Sequence, residues 1–437
     1  MHSEPSPRHP SPAPCQAHFD LVIVGGGLIG GSLACALADT GLRVAVIEAV
    51  AADAAVQPSY DERVIALSLG SRRILGAMGL WDGIAPEAEP ILRVHIAERG
   101  GCGATRLDHA ELGVEALGYV AGARAMGAAI RLALAAAPQV EWLCPARVTS
   151  QRLHADRLDL EVLQCGGETR RLHTRLLVAA DGGDSLIRRD QGIAVEERPY
   201  EQQAVITTVT PDRPRTGWAF ERFTDTGPLA LLPMTGGRYS VVWTCRDTET
   251  SALLGLSDAD FLARLQGRFG FRLGRFDQAA PRRAYPLKLL LTRETIRPRL
   301  VLIGNAAHTL HPVAGQGFNL GLRDVAALAE VLAPIGEPVG EGGFDPGAVT
   351  VLEAYRAWRG GDQQRTATLT DTLARLFVNP WLPLRLGRNL GLLGLDLLPP
   401  ARRAVARHFM GTGGRAPRLA RGLPLSRHPA ESKSSRE

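Results

Sequence analysis

One stretch constrains the fold more than any other: "LVIVGGGLIGGSLACALADTGLRVAVIE", residues 21–48. The apolar run 21–24 enters three glycines, continues as a small-residue helix ending near Thr40-Gly41, and returns as a second apolar run, 44–47, that stops on Glu48. Short apolar runs flanking a helix predict two parallel strands joined by a crossover and buried on both faces. Gly25-x-Gly27-x-x-Gly30 has the dinucleotide-binding spacing: Gly25 permits the tight turn, Gly27 lets backbone approach a pyrophosphate, and Gly30 brings helix against strand. The helix N-terminus then faces the phosphates, and Glu48 offers an acceptor to a ribose hydroxyl. Residues 21–38 carry no charge and have the length of a membrane span, but five glycines and a strand-like start argue against one.

Two later segments repeat the strand-into-glycine pattern. In "LLVAADGGDSLIRR" the apolar run 176–180 ends on Asp181-Gly182, with Ser185 and Arg188 following. The run 300–303 enters Gly304-Asn305, and residues 304–322 then hold four glycines, two histidines and two asparagines without one Asp, Glu, Lys or Arg. His308 and His311 invite a metal reading. Pro312 disfavours helix at His311 and no third ligand lies nearby, so packed or hydrogen-bonded pocket histidines are expected, and no metal.

With these three motifs in this order, the chain resembles the flavoprotein aromatic hydroxylases that share the fold of p-hydroxybenzoate hydroxylase, in which such motifs hold one FAD. "DERVIALSLGSRRILGAMGLWD" (61–82), "ERFTDTGPLALLPM" (221–234) and "HPVAGQGFNLGLRD" look like the branch acting in ubiquinone biosynthesis, nearest its 2-polyprenyl-6-methoxyphenol hydroxylases. The resemblance implies that Arg63 sits beside the flavin and that Arg124 lies on a helix facing the FAD. It also implies that Asp181 contacts the cofactor or helps admit NAD(P)H, and that Asn305 approaches the ribityl chain. Surface ion pairing is the plainer alternative for Arg124 and Arg188. The family writes Gly-Asp where this chain has Gly304-Asn305. Asn keeps a carbonyl acceptor but loses a charge-assisted hydrogen bond, roughly twice as strong as a neutral one, so FAD binding is expected to survive in weaker form.

By the same resemblance, residues 312–317 present exposed backbone to the isoalloxazine edge, because glycine permits close approach. A helix beginning near Phe318-Asn319 points its positive end at the flavin. The expected cofactor set is Gly25, Gly27, Gly30, Glu48, Arg63, Arg124, Asp181, Gly182, Gly304, Asn305, Gly317 and Asn319. His311, Pro312, Gly315 and Gln316 are expected as pocket wall, with no general base identified. A second βαβ fingerprint is missing, since "GRFGFRLG" (267–274) has the wrong spacing, so NAD(P)H is expected as a transient co-substrate.

At 437 residues, 45% hydrophobic and 22% charged, the chain is long enough for two intimately packed domains. The expected class is α/β: a discontinuous Rossmann-like FAD-binding domain (18–90, 120–195, 285–345) and a mainly antiparallel β-sheet substrate domain (91–119, 196–284) with a hairpin at Thr235-Gly236-Gly237. A helical C-terminal region (346–412), a disordered leader (1–17) and a disordered basic tail (413–437) complete the expectation. From Arg385 to Glu437 there are eleven Lys or Arg against three Asp or Glu, so a net +8 of the chain's +5 resides there and the body is net −3. No zinc-finger spacing or aromatic-interleaved basic groove accompanies it, so nucleic acid is not an expected partner. Arg385, Arg388, Arg402, Arg403 and Arg407 lie among apolar residues, which suits an anionic membrane surface or, equally, a helix pair packed between domains. The six cysteines are scattered, as in a reducing cytosol.

The function implied is an FAD-dependent monooxygenase using NAD(P)H and O2 to hydroxylate a polyprenylated (methoxy)phenol in ubiquinone biosynthesis. It would be cytoplasmic, with peripheral contact at the inner membrane and with a ubiquinone-biosynthesis assembly. The alternatives are a hydroxylase of a small soluble aromatic and a non-catalytic FAD-binding component of a biosynthetic complex.

Overall fold

The computed structural model describes residues 17–51, 63–333 and 343–425. The expected leader except Ala17, the last twelve residues of the tail, and Asp61 and Glu62 lie outside the described residues. The core of the first sheet is parallel: strand Ala17–Val24 pairs with Val44–Ile47 on one side and with Thr169–Ala179 on the other, and the latter pairs with Leu300–Leu302. These runs are buried on both faces, which explains why they read as continuous apolar segments. The sheet has eight strands, with antiparallel additions at its margins.

Helix Leu28–Leu37 crosses over this sheet and packs between helices Ala123–Ala135 and Gln316–Leu332. Two glycines make the approach feasible. Gly25 has φ +101, and a Cβ on Gly30 would lie 1.9 Å from the Gly25 carbonyl oxygen. The crossover helix stops at Leu37, slightly short of Thr40-Gly41, and the later helix starts at Gln316, before Phe318.

The second sheet has nine strands. Its centre is antiparallel, from Val195–Pro211 through Tyr239–Arg246 and Gly227–Pro233 to Trp218–Thr224, and the turn at Thr235–Gly237 joins two of these strands as a hairpin. Strands Arg93–Glu98 and Ala104–Asp108 extend it. Strand Arg283–Thr292 also belongs to it, pairing with Val195–Pro211, so the boundary expected at 284/285 cuts through a strand of this sheet. A three-stranded sheet of Val64–Ser68, Glu89–Ile91 and Gly118–Gly122 is separate from both.

Three helices follow: Val349–Val378, Leu382–Leu397 and Pro399–Phe409. The middle one is pinned to the second sheet by buried polar groups. Arg388 Nη2 and Asn389 Nδ2 each donate to the Glu98 carboxylate at 2.6 Å, and Thr105 Oγ1 donates to the Leu392 carbonyl. Residues 413–425 depart from the expected disordered tail: Leu419, Ala420 and Leu425 are buried in the main core, anchored where Arg418 N donates to Glu330. Their spacing was too short and too basic to read as core.

Gly30→Ala is expected to prevent recovery of folded protein, because backbone must move to admit one methyl. Gly360→Ala, in a helix interior with open space around it, is expected to stabilise by about 0.5–1 kcal/mol. Soluble yield checks the first variant and a thermal melt the second.

Candidate active site

A cavity of about 710 Å³ opens between the parallel core, the second sheet and the C-terminal helices. Two helices begin on it without a side-chain cap: Leu28–Leu37 after Gly27, and Gln316–Leu332 after Gly315, whose φ of +61 turns the chain into the helix. Unsatisfied N–H groups and the helix dipole make such ends anion-accepting. Gly182 and Gly317 also line the cavity, and a Cβ on either would meet no atom within 4 Å. Bare backbone therefore faces open space at these two positions, where a flat ring system would fit.

Of the residues singled out from sequence, Gly27, Arg63, Gly182, Asn305, Pro312, Gly315, Gln316, Gly317 and Asn319 line this cavity. Gly25, Gly30, Glu48, Arg124, Asp181, Gly304 and His311 stand outside its lining. Glu48 is held ready at the strand end, its two oxygens accepting from Gly26 N (2.7 Å) and Val50 N (2.8 Å). A carboxylate has about four acceptor positions, so two remain for hydroxyls. Arg63 places its guanidinium 5.0 Å from the Tyr285 ring centroid. Arg124 is exposed in the first turn of its helix. Arg188, for which surface pairing was an alternative, is buried and clamps two loops, donating to the Ala306 carbonyl (2.9 Å) and the Gly183 carbonyl (2.6 Å). Asp181 accepts from Ile187 N at 3.3 Å while its Oδ1 is buried without a partner, and burial raises its carboxyl, opposed by Ser185 and nearby backbone N–H groups.

Two expectations need correction. Asn319, placed in the cofactor set, has every side-chain position committed: Oδ1 accepts from Ser68 N and Ser71 Oγ, and Nδ2 donates to the Ala66 and Gly315 carbonyls. It stitches the flavin-side helix to strand Val64–Ser68 and has no hydrogen-bonding capacity left for a ligand. His311, placed in the pocket wall, is fully buried behind it, edge-on to Tyr200 at 4.9 Å. Burial pushes its imidazole down to about 4, so it is neutral at physiological pH.

The group that organises this wall was not among the residues singled out from sequence. Asp324 is wholly buried and accepts from His308 Nε2 (2.6 Å), Arg359 Nε (2.8 Å), Gln363 Nε2 (2.9 Å) and the Gly304 amide (3.4 Å). Arg359 and Arg323 both reach Asp362, closing a buried network between helices Gln316–Leu332 and Val349–Val378. Burial opposes the Asp324 charge, but His308 and Arg359 hold its carboxyl far below the usual carboxylate range. The available signal was Arg323-Asp324, which ends the uncharged run, together with Arg359 and Asp362 one helical turn apart.

The residues present thus fit a flavin dinucleotide: a ribose-ready carboxylate, two uncapped helix ends, an arginine and bare glycine backbone. The comparisons agree. The FAD binding domain family matches residues 18–339. Ubiquinone hydroxylase UbiL of Rhodospirillum rubrum is 40% identical over 93% of this chain and 93% of its own length. The 3-demethoxyubiquinol 3-hydroxylase of Escherichia coli is 33% identical over 90% of this chain and 98% of its own. Among solved structures, p-nitrophenol 4-monooxygenase PnpA from Pseudomonas putida superposes with a TM-score of 0.75 at 21% identity, covering 92% of this chain and all of that one, a likeness of fold.

Asp324→Asn is expected to cost about 3–5 kcal/mol at pH 7, since it leaves buried cationic partners uncompensated. The ordinary value of this carboxyl is 3.8 and the folded one is lower, so its contribution is present above that value and lost on acidification. Urea titrations should show the gap between variant and wild type holding at about pH 5 and shrinking below about pH 4.

Proposed function

We propose a substrate and an electron source for a chain that belongs to the flavoprotein aromatic hydroxylase family and is an FAD-dependent monooxygenase. The reaction is hydroxylation of the aromatic ring of a polyprenylated phenol in ubiquinone biosynthesis, with O2 as oxygen donor and NAD(P)H as transient reductant. The observation that carries this reading is the far end of the cavity, where Leu373, Phe377, Leu392, Leu395, Val405 and Phe409 of the C-terminal helices line it. An isoprenoid tail is apolar along its whole length, and each buried CH2 contributes about 0.8 kcal/mol. A small soluble aromatic has no use for this end of the cavity.

Bound FAD supplies the redox chemistry. The chain's own tasks are to orient the ring against the wall formed by residues 312–317, to exclude water, and to keep the tail in the apolar end. Phe223 and Phe377, stacked at 3.5 Å between ring centroids, close the join between the second sheet and the long helix.

Helix Leu382–Leu397 has two apolar faces, which supports a peripheral membrane contact. Leu392 and Leu395 face the cavity, while Leu382, Leu386, Leu390, Leu393 and Leu397 are exposed, beside exposed Trp381 and Leu398. A substrate that resides in the bilayer makes a lipid surface the matching occupant of the outer face. The arginines contribute less than their number suggested. Arg388 and Arg402 are engaged with Glu98 and Glu111, and Arg385 donates to the Gly100 carbonyl, leaving Arg403 and Arg407 exposed on the following helix. Among the described residues no helix is long and apolar enough to cross a membrane.

Deleting the gene is expected to deplete cellular ubiquinone and accumulate a polyprenylated phenol lacking one hydroxyl; unchanged quinone content on extraction contradicts the substrate assignment. In liposome flotation with anionic vesicles, Leu386→Glu combined with Leu390→Glu should release the protein from the lipid fraction while FAD absorption and Tm stay at wild-type values.

A further inference from the structure

Glu221 is the sole carboxylate among the described residues lining the cavity. It lies on strand Trp218–Thr224, and the strand register fixes its neighbours on the same face: Ile96 and Ala230 flank it, with Val242 and Ile206 next in the row. All four line the cavity as well, so one acid interrupts an apolar row. Within the described residues Glu221 accepts no hydrogen bond and joins no ion pair. The other titratable side chains on the cavity are occupied on other elements. Lys288 is drawn to Glu197 (3.3 Å) and Asp184 (3.7 Å), and Arg63 stands over the ring of Tyr285. An unpaired carboxylate in an apolar wall costs stability and contributes nothing to packing that a leucine would not do better. A titratable group so placed in a cleft is a candidate for chemistry.

We propose that Glu221 is the catalytic base that takes the phenolic proton of the substrate, so that the ring is hydroxylated as its phenolate. This rests on the reading of the substrate as a phenol. The substrate O–H bond breaks, a carboxyl O–H bond forms, and the negative charge passes from Glu221 to the phenolate oxygen, whose electron density raises the nucleophilicity of the ring. No electron is exchanged with the protein, and the carboxyl returns its proton to the product oxygen. Burial pushes the Glu221 carboxyl up to about 7, near the operating pH at which a general base is most effective. His311, neutral and behind the wall, is not placed for this role.

The test uses FAD-loaded wild type, Glu221→Gln and Glu221→Asp with a short-chain prenylated phenol. A phenol ionises at about 10 and the Glu221 carboxyl at about 7, so the proton sits on Glu221 only transiently during turnover and the readout is the rate of product formation across pH. Product formation by Glu221→Gln at pH 7 should fall by about 10²–10⁴-fold, with flavin content unchanged, and recover as the pH approaches the phenol's own ionisation. Glu221→Asp should retain an intermediate rate. Fold integrity has its own readout. The raised carboxyl stabilises the folded state at low pH and loses that contribution as pH rises through about 7, so the Tm of Glu221→Gln should exceed wild type at pH 8 and match it near pH 4.5. A wild-type rate and pH profile in Glu221→Gln overturns the inference. So does a wild-type rate of product formation that does not rise as the pH passes through about 7, a result that needs no variant. A wild type that hydroxylates no prenylated phenol at all refutes the substrate reading instead.

Discussion

The buried carboxylate of Asp324 is the interaction on which the cofactor wall depends. An isolated charge in the interior is costly, and this one is offset by the imidazole of His308, the guanidinium of Arg359, the amide of Gln363 and the backbone of Gly304. Its partners come from the glycine turn, from the strand after it and from a helix thirty-five residues on, so one group fixes three segments at once. The uncharged run 304–322 then has its shape decided by a charge at its own end. Asn319 does the equivalent work on the other flank, where hydrogen bonds with Ser68 N and the Ala66 carbonyl tie the start of the same helix to strand Val64–Ser68.

With that wall held, the rest of the cavity is a division of labour among three layers. Bare backbone and two uncapped helix ends form one layer, the second sheet supplies an apolar row broken by Glu221, and the C-terminal helices extend the apolar surface. The Glu98–Arg388–Asn389 cluster keeps the last layer seated, and in doing so turns the exposed leucines of helix Leu382–Leu397 outward. One helix thereby presents Leu392 and Leu395 to the cavity and its exposed leucines to the outside, which on the proposed reading face the tail of the substrate and a lipid surface.

What could be read from the sequence follows from the range of the forces involved. The βαβ unit was legible because its glycine spacing and its buried strands are local, and the hairpin at Thr235–Gly237 because turn chemistry is local too. Asp324 and Arg359 were not paired in advance, since nothing in helical periodicity selects one distant partner over another. Glu221 was visible as a residue of a quoted segment, but its isolation depends on strand register across four neighbours, and register is a tertiary property. Composition described the C-terminal helices as leucine and arginine. It took packing to separate Arg388, buried against Glu98, from Arg403 and Arg407 at the surface.

The most direct test is a single reaction under isotopically heavy dioxygen, with purified FAD-loaded protein, NAD(P)H and a prenylated phenol, followed by mass spectrometry of the products. The expected result is a ring-hydroxylated phenol that carries one heavy oxygen atom and forms in proportion to NAD(P)H consumed. Protein that retains no FAD after reconstitution, or NAD(P)H oxidation that yields only peroxide and leaves the phenol unchanged, contradicts it.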